Sequence, residues 1–138
     1  LLADEGIGVH VLHRLRDILP SNSDIELVDG GTLSFNLLPA IEAAGSLIVI
    51  DAANLGQSPG SVRCLTGEDF DRHLGQSRHT AHEVGLRELL DMARLNGHRP
   101  ARRALIGVQP LRVDWGDMPT EIVAAALPLM TSLALDLA

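Results

Sequence analysis

Aromatic side chains are scarce in this 138-residue sequence, which contains two Phe, one Trp and no Tyr. Proteins that hold single-stranded nucleic acids usually stack the bases on aromatic rings, and few rings are available here. Basic side chains are also few, because 11 Lys and Arg stand against 18 Asp and Glu and leave a formal net charge of -7. Such a chain repels a phosphate backbone. We therefore expect no nucleic-acid partner.

Cysteine and long apolar runs are equally limited. The one cysteine, Cys64, can form neither an internal disulfide nor a thiolate metal cluster, which fits a reducing compartment. No apolar run approaches the roughly 20 residues that a membrane-spanning helix needs. Neither a nucleophilic serine elbow nor a phosphate-binding glycine loop occurs. We expect a cytoplasmic protein with no membrane partner.

The apolar residues that are present alternate between two spacings. Residues 47–50 are four consecutive apolar residues followed by Asp51, which predicts a strand buried on both faces of a mostly parallel sheet. Further strands are predicted at residues 25–29, 62–65 and 103–108, the second of them at a sheet edge. Helical spacing occupies residues 8–19, 36–44, 81–95 and 119–137, the last with a kink at Pro128, whereas residues 67–78 are predicted to be irregular. This alternation predicts an α/β fold with helices on both faces of the sheet.

Acidic side chains fall where two predicted strands end. Asp51 and Asp29 each close a strand, and ligands of open α/β sheets bind at that carboxyl edge. Glu5 and Asp4 precede the first helix, where the positive end of the helix dipole favours carboxylates. Capping could account for one of these two acids, but it need not account for both. His82 falls in the first turn of the helix predicted from residue 81.

Glu5, Asp51 and His82 are thus predicted to reach the same edge. Two carboxylates and one imidazole suit a borderline divalent ion such as zinc or nickel, with coordination positions left open. Each residue also has a plain structural explanation: Glu5 as a dipole partner, Asp51 as the cap of the next turn and His82 as a solvated helix residue. A crevice at Asp29 and Asp51 that binds a small molecule without a metal is a further alternative.

Five short blocks, spread in order over nearly the whole chain, resemble the hydrogenase maturation endopeptidases, which process the large subunit of nickel-iron hydrogenases. The blocks are L-L-A-D-E-G-I-G-V at residues 1–9, D-G-G-T at 29–32, I-D-A at 50–52 with P-G at 59–60, H-E-V-G-L at 82–86 and G-V-Q-P at 107–110. Each block is short, but their joint occurrence is specific.

The resemblance implies a three-layer α/β/α sandwich around a mostly parallel twisted sheet. It also implies an endopeptidase that removes the C-terminal extension of a hydrogenase large-subunit precursor after nickel insertion and recognises the bound nickel. Its metal-binding and catalytic residues would be Glu5, Asp51 and His82. The precursor would be selected by the turn formed by Asp29, Gly30, Gly31 and Thr32. Nickel would arrive with the precursor, zinc or cadmium could occupy the site in vitro, and the enzyme would be a monomer.

One departure from the family pattern concerns the start of the sequence. Relatives usually have an apolar strand just before the D-E-G block, and no such strand precedes residues 4–6 here. We therefore expect residues 1–138 to be one N-terminally incomplete domain. The alternative function is a non-catalytic nickel-binding accessory protein for hydrogenase assembly, which metal ligands alone cannot distinguish from the enzyme.

Overall fold

The computed structural model describes residues 3–31, 35–76, 81–111, 116 and 118–138, with the backbone alone for residues 81–84. In these ranges the helices are α1 (Ile7–Ile18), α2 (Leu38–Ala43), α3 (Glu68–Leu74), α4 (Ala81–Leu95), α5 (Glu121–Ala124) and α6 (Leu127–Leu137). The strands are β1 (Ser46–Ala52), β2 (Val62–Thr66) and β3 (Arg102–Val108). Short 3-10 turns at Asp4–Gly6 and Phe35–Leu37 lead directly into α1 and α2.

The three strands form one sheet in the order β1-β3-β2. Where β1 and β3 begin, the Arg102 N–H donates to the carbonyl oxygen of Gly45 at 3.2 Å. Where they end, the Ala53 N–H donates to the carbonyl oxygen of Val108 at 3.0 Å, so the two strands are parallel. Parallel neighbours require a long crossover connection, and this one contains β2, α3 and α4.

Strand β2 lies on the other side of β3 and runs in the opposite direction. The Gly60 N–H donates to the carbonyl oxygen of Gln109 at 2.8 Å, and the Gly67 N–H donates to that of Arg103 at 3.0 Å. The position of β2 at an edge confirms the sequence prediction. The predicted fold class is confirmed as well, because the chain has a mixed α/β fold in which helices flank a sheet and two of its three described strands run in the same direction.

The described chain divides into two compact units. The first unit comprises Leu1–Asp29, Ile50–Cys64 and Ile106–Ala138, and the second comprises Gly30–Val49 and Leu65–Leu105. Both boundaries in β1 and β3 leave the carboxyl ends of these strands in the first unit. In that unit α1 packs against α6. Its buried apolar side chains include Ile7, Val11, Leu15, Val123, Met130 and Ala134.

The core of the second unit is built mainly around α4, which packs against α2 and α3. One face of α4 is buried at the spacing of an amphipathic helix, and it comprises Leu86, Leu89, Leu90 and Ala93. Phe70 of α3 is completely buried. The prediction of a helix at residues 81–95 is therefore confirmed at both ends.

Two strand predictions need correction. Residues 25–29, which the structure describes in full, are not a strand, and Ile25 and Val28 are 38% and 42% exposed. Their alternating pattern predicts an extended chain, but a strand must also pair with a neighbour in a sheet, and the described sheet consists of β1, β3 and β2. Residues 47–50 of β1 are only half-buried rather than buried on both faces. In the sheet as described β1 has a neighbour on one side only, whereas the central strand β3 is buried from Ala104 to Val108.

Two helix predictions also need correction. Residues 67–78 were predicted to be irregular, but α3 occupies the first part of this range. Its acidic first turn and basic last turn both complement the helix dipole. Residues 119–137 are two helices rather than one kinked helix, because Pro128 occupies the first turn of α6, where the missing N–H costs nothing. No helix in the described part of the chain is long and apolar enough to cross a membrane.

An ion pair ties α3 to β3 within the second unit. Arg103 donates from Nε to Asp71 Oδ1 at 3.0 Å and from Nη2 to Asp71 Oδ2 at 2.7 Å, and its Nη1 donates to the carbonyl oxygen of Pro100 at 2.8 Å. The Arg103 side chain is 9% exposed and that of Asp71 is 37% exposed. The hydrogen bonds from Arg103, aided by its charge and that of Arg99, hold the pKa of Asp71 below its usual range.

We predict that Asp71→Asn lowers the free energy of unfolding by about 1–2 kcal/mol near neutral pH, a value reduced for the partial exposure of the carboxylate. Because the pKa of Asp71 is lower in the folded state, its contribution is present above the unfolded value of 3.8 and disappears as the pH falls through the folded pKa. Urea titrations at neutral and acidic pH should therefore show a difference between the variant and the wild type that shrinks in acid.

The matched control for this prediction is Asp69→Asn. Asp69 pairs with Arg72 at 3.1 Å on the same helix, but both side chains are more than half exposed. Exposed pairs contribute at most about 1 kcal/mol, so this variant should lose less stability than Asp71→Asn. Equal losses of stability in the two variants would contradict the conclusion that the ion pair of Asp71 and Arg103 stabilises the packing of α3 against β3.

Candidate functional site

Glu5 is the middle residue of the turn Asp4–Gly6, and its side chain is half-buried. Its neighbour Asp4 is completely buried, and the Asp4 carboxylate accepts hydrogen bonds from the backbone N–H groups of Leu111 at 2.8 Å and Thr120 at 2.6 Å. The structure thus separates the two acids that precede α1. Asp4 is committed to internal hydrogen bonds, whereas Glu5 retains partial access to solvent.

Asp51 is the penultimate residue of β1, at the carboxyl end of the strand as predicted. Its side chain is half-buried, and Oδ1 accepts a hydrogen bond from the Ala52 N–H at 2.8 Å. This bond limits the rotation of the carboxylate at the point where the chain leaves the sheet. Asp51 therefore has a defined orientation without being sealed from ligands.

Glu5 and Asp51 belong to the first unit, and the segments that carry them are in contact there. Gly8, three residues after Glu5, packs so closely against β1 that an added Cβ would overlap the carbonyl oxygen of Ile50. That Cβ would also lie 4.0 Å from the Cα of Asp51. The start of α1 consequently lies directly on the end of β1, since glycine leaves no side chain between the two backbones.

His82 is the second residue of α4, in the second unit, and the structure describes its backbone alone. Among the side chains that the structure describes, no group of three or more His, Cys, Asp and Glu could hold a metal ion. Because the imidazole of His82 is not among them, a site with the three ligands Glu5, Asp51 and His82 stays a prediction.

The turn at residues 29–32, which is predicted to select the precursor, is only partly covered by the described residues. Gly31 has a φ of 47°, a backbone conformation that favours glycine, which supports a sharp turn at this point. Asp29 is exposed and precedes this turn, but it does not close a strand, because residues 25–29 are not one. Gly30 is half-buried, and Thr32 lies outside the described residues. A role of these four residues in substrate binding stays a prediction.

Gln109 is a structural residue of this region that sequence reasoning assigned no role. It follows β3, and its Oε1 accepts hydrogen bonds from the N–H groups of Leu55 at 2.6 Å and Gln57 at 3.5 Å. These residues belong to the loop that leaves β1 just after Asp51, so Gln109 fixes the start of that loop. The available signal was an amide side chain directly after a buried strand, at the edge where loops diverge.

The geometry gives no support to a nucleophilic role of Cys64. Cys64 lies in the edge strand β2, and partial burial raises the pKa of its thiol. A raised pKa leaves less thiolate at neutral pH, whereas a nucleophilic cysteine needs its pKa lowered. The acids of the first unit are therefore the better candidates for chemistry.

Comparisons with a family model and with curated proteins agree on one protein family. Residues 9–137 match the family model described as hydrogenase maturation protease. The hydrogenase expression/formation protein HupD of Rhodobacter capsulatus is 34% identical over 92% of this chain and 61% of its own length. The hydrogenase 2 maturation protease of Escherichia coli K12 is 34% identical over 80% of this chain and 67% of its own. The chain thus spans about three-fifths of the length of the first curated relatives it matches.

Solved structures show the same relation at the level of the fold. The hydrogenase maturating endopeptidase HybD from Escherichia coli superposes with a TM-score of 0.88 at 29% identity, over 99% of this chain and 84% of its own. The [NiFe] hydrogenase maturation protease HybD from Thermococcus kodakarensis gives a TM-score of 0.82 over 100% of this chain and 92% of its own. At 24% identity the second likeness shows the fold alone.

We predict that Gly8→Ala destabilises the protein, because the new methyl group would force α1 away from the carbonyl oxygen of Ile50. Overpacking of this kind costs about 1–3 kcal/mol, which urea unfolding would measure. The control is Gly45→Ala, since an added Cβ at Gly45 has no atom within 4 Å. A stability of Gly8→Ala equal to that of Gly45→Ala would show that α1 does not depend on this close approach.

Proposed function

Because this chain belongs to the hydrogenase maturation protease family, we propose that it is an endopeptidase that removes the C-terminal extension of a nickel-iron hydrogenase large-subunit precursor. The proposal rests first on the family match over residues 9–137. It is supported by two half-buried carboxylates, Glu5 and Asp51, on contacting segments of the first unit. Cleavage would follow the insertion of nickel into the precursor.

The nickel belongs to the precursor and is the feature that the enzyme recognises. Two carboxylates and an imidazole suit this ion, and Glu5, Asp51 and His82 are the residues that would hold it. When bound, the ion supplies a recognition handle and a Lewis acid for the scissile carbonyl. Zinc or cadmium could take its place in vitro. Partial exposure of Glu5 and Asp51 is what an ion delivered by a partner requires.

Other residues in the proposal would orient the ligand Asp51 or select the precursor. The Ala52 N–H donates to Asp51 Oδ1 at 2.8 Å, which orients the carboxylate at the end of β1. The turn formed by Asp29, Gly30, Gly31 and Thr32 would distinguish one precursor from another. The enzyme would act as a monomer in the cytoplasm.

The decisive experiment measures the intact mass of a large-subunit precursor after incubation with the full-length protein. One precursor sample carries nickel and the other does not. We expect loss of the C-terminal extension only in the nickel sample. Cleavage in both samples would support the endopeptidase but contradict nickel recognition. Complex formation without cleavage in either sample would instead indicate the non-catalytic accessory protein.

The three proposed ligands can be tested one at a time with Glu5→Gln, Asp51→Asn and His82→Ala. Loss of groups that only orient metal ligands already costs about 10- to 100-fold, so each variant should slow cleavage of the nickel-loaded precursor at least tenfold. Asp17→Asn and His13→Ala, at exposed positions of α1, should cleave at the wild-type rate. A ligand variant as active as these controls would remove that residue from the site.

A further inference from the structure

The carboxylate of Asp4, outside the proposed ligand set, accepts hydrogen bonds at both oxygens. Its Oδ2 accepts a hydrogen bond from the Leu111 N–H at 2.8 Å, and its Oδ1 accepts one from the Thr120 N–H at 2.6 Å. The hydroxyl of Thr120 lies 3.0 Å from Oδ1 and 3.1 Å from Oδ2, within donating distance of both oxygens. Asp4 is completely buried. Both of its oxygens are thus engaged inside the first unit.

These hydrogen bonds connect three separate parts of that unit. Asp4 lies in the turn before α1. Leu111 is the third residue after β3, and Thr120 is the residue that precedes α5. A second contact reinforces the connection, because an added Cβ at Gly116 would lie 3.3 Å from the Cβ of Ala3. The turn Asp4–Gly6 is therefore held by hydrogen bonds from Leu111 and Thr120, and the preceding Ala3 packs closely against Gly116.

We propose that Asp4, together with Thr120, is a positioning residue for Glu5, an inference that rests on the function proposed above. Glu5 is the next residue in the same turn, so any rotation of the turn moves its carboxylate. A ligand must be held within about 0.5 Å of its productive position, and a half-exposed glutamate cannot achieve this with its own flexible side chain. The buried carboxylate of Asp4 fixes the backbone from which Glu5 projects.

A positioning role predicts a kinetic effect that simple stabilisation of the fold does not predict. A purely structural hydrogen bond would change cleavage only by changing the folded fraction of the protein. A positioning residue lowers the rate with saturating precursor while the protein remains folded and the half-saturating precursor concentration is little changed. The two explanations therefore differ in the saturated cleavage rate per folded protein molecule, which can be measured.

The test uses Thr120→Val, which removes the hydroxyl but keeps the shape and the backbone N–H, and Thr120→Ser, which restores the hydroxyl. Thr66→Val, at an exposed position of β2, is the control. Asp4→Asn is the stronger variant, and Thr120→Val keeps the proposal testable if Asp4→Asn does not fold. Each protein is assayed well below its own unfolding temperature, against the nickel-loaded precursor.

We expect Thr120→Val to lower the saturated cleavage rate about tenfold, the smaller end of the range for groups that orient a ligand. Thr120→Ser should recover the wild-type rate to within about twofold, and the half-saturating precursor concentration should stay within about twofold in all variants. A folded Thr120→Val that cleaves like Thr66→Val would overturn the proposal. So would a Thr120→Ser that fails to recover activity.

Deuterium uptake by peptides that cover residues 3–8 separates failure of this inference from failure of the proposed function. If the wild type cleaves no precursor, the proposed function fails, and the uptake then decides whether Asp4 and Thr120 hold the turn of Glu5. Faster uptake in Thr120→Val than in the wild type and in Thr66→Val would support that role. Unchanged uptake would overturn it.

Discussion

A buried carboxylate imposes the strongest constraint on the first unit. Removing an ionised group from water carries a cost of several kcal/mol unless donors replace the lost hydration. Asp4 is completely buried, and its donors are the N–H groups of Leu111 and Thr120 and the Thr120 hydroxyl. These donors come from residues more than 100 positions away in the chain. The turn before α1 can therefore form only when the segment that leads into α5 is in place.

Close packing of backbone against backbone adds a second constraint in the same unit. At Gly8 the first turn of α1 lies against the carbonyl oxygen of Ile50, with no room for a side chain. Asp4 thus determines where the turn lies, and Gly8 determines how closely the helix approaches the strand end that carries Asp51. Gln109 holds the loop that follows β1, because its side-chain oxygen accepts a hydrogen bond from the N–H of Leu55.

Sequence reasoning could predict what depends on periodicity and on local chemistry. The helix α4 and the strands β2 and β3 follow from the spacing of their apolar residues, and all three are confirmed. Pairing and burial depend on residues far away in the sequence. Residues 25–29 have a strand pattern but are not part of the described sheet. Residues 68–74 form α3, in which Phe70 is completely buried by partners that no local pattern reveals.

The candidate site was predictable to the same extent. Asp51 could be placed at a strand end because a short run of apolar residues stops at this carboxylate. The different environments of Asp4 and Glu5 could not be predicted, since adjacent acids before a helix look equivalent until the donors of Leu111 and Thr120 are known. The metal site formed by Glu5, Asp51 and His82 stays a prediction from the sequence and the family resemblance.

Under the proposed function, the contrast between Asp4 and Glu5 reflects a general conflict in sites that receive a ligand from a partner. A carboxylate that must accept an incoming ion has to keep an oxygen accessible, so it cannot use all its hydrogen-bonding capacity to fix its own position. Rigidity then has to come from neighbours that do not themselves bind the ligand. The buried Asp4 beside the half-buried Glu5 has this arrangement, and Gln109 has the same relation to the loop after Asp51. Under that proposal, polar residues beside the proposed ligands should also tolerate substitution poorly, although they never touch the substrate.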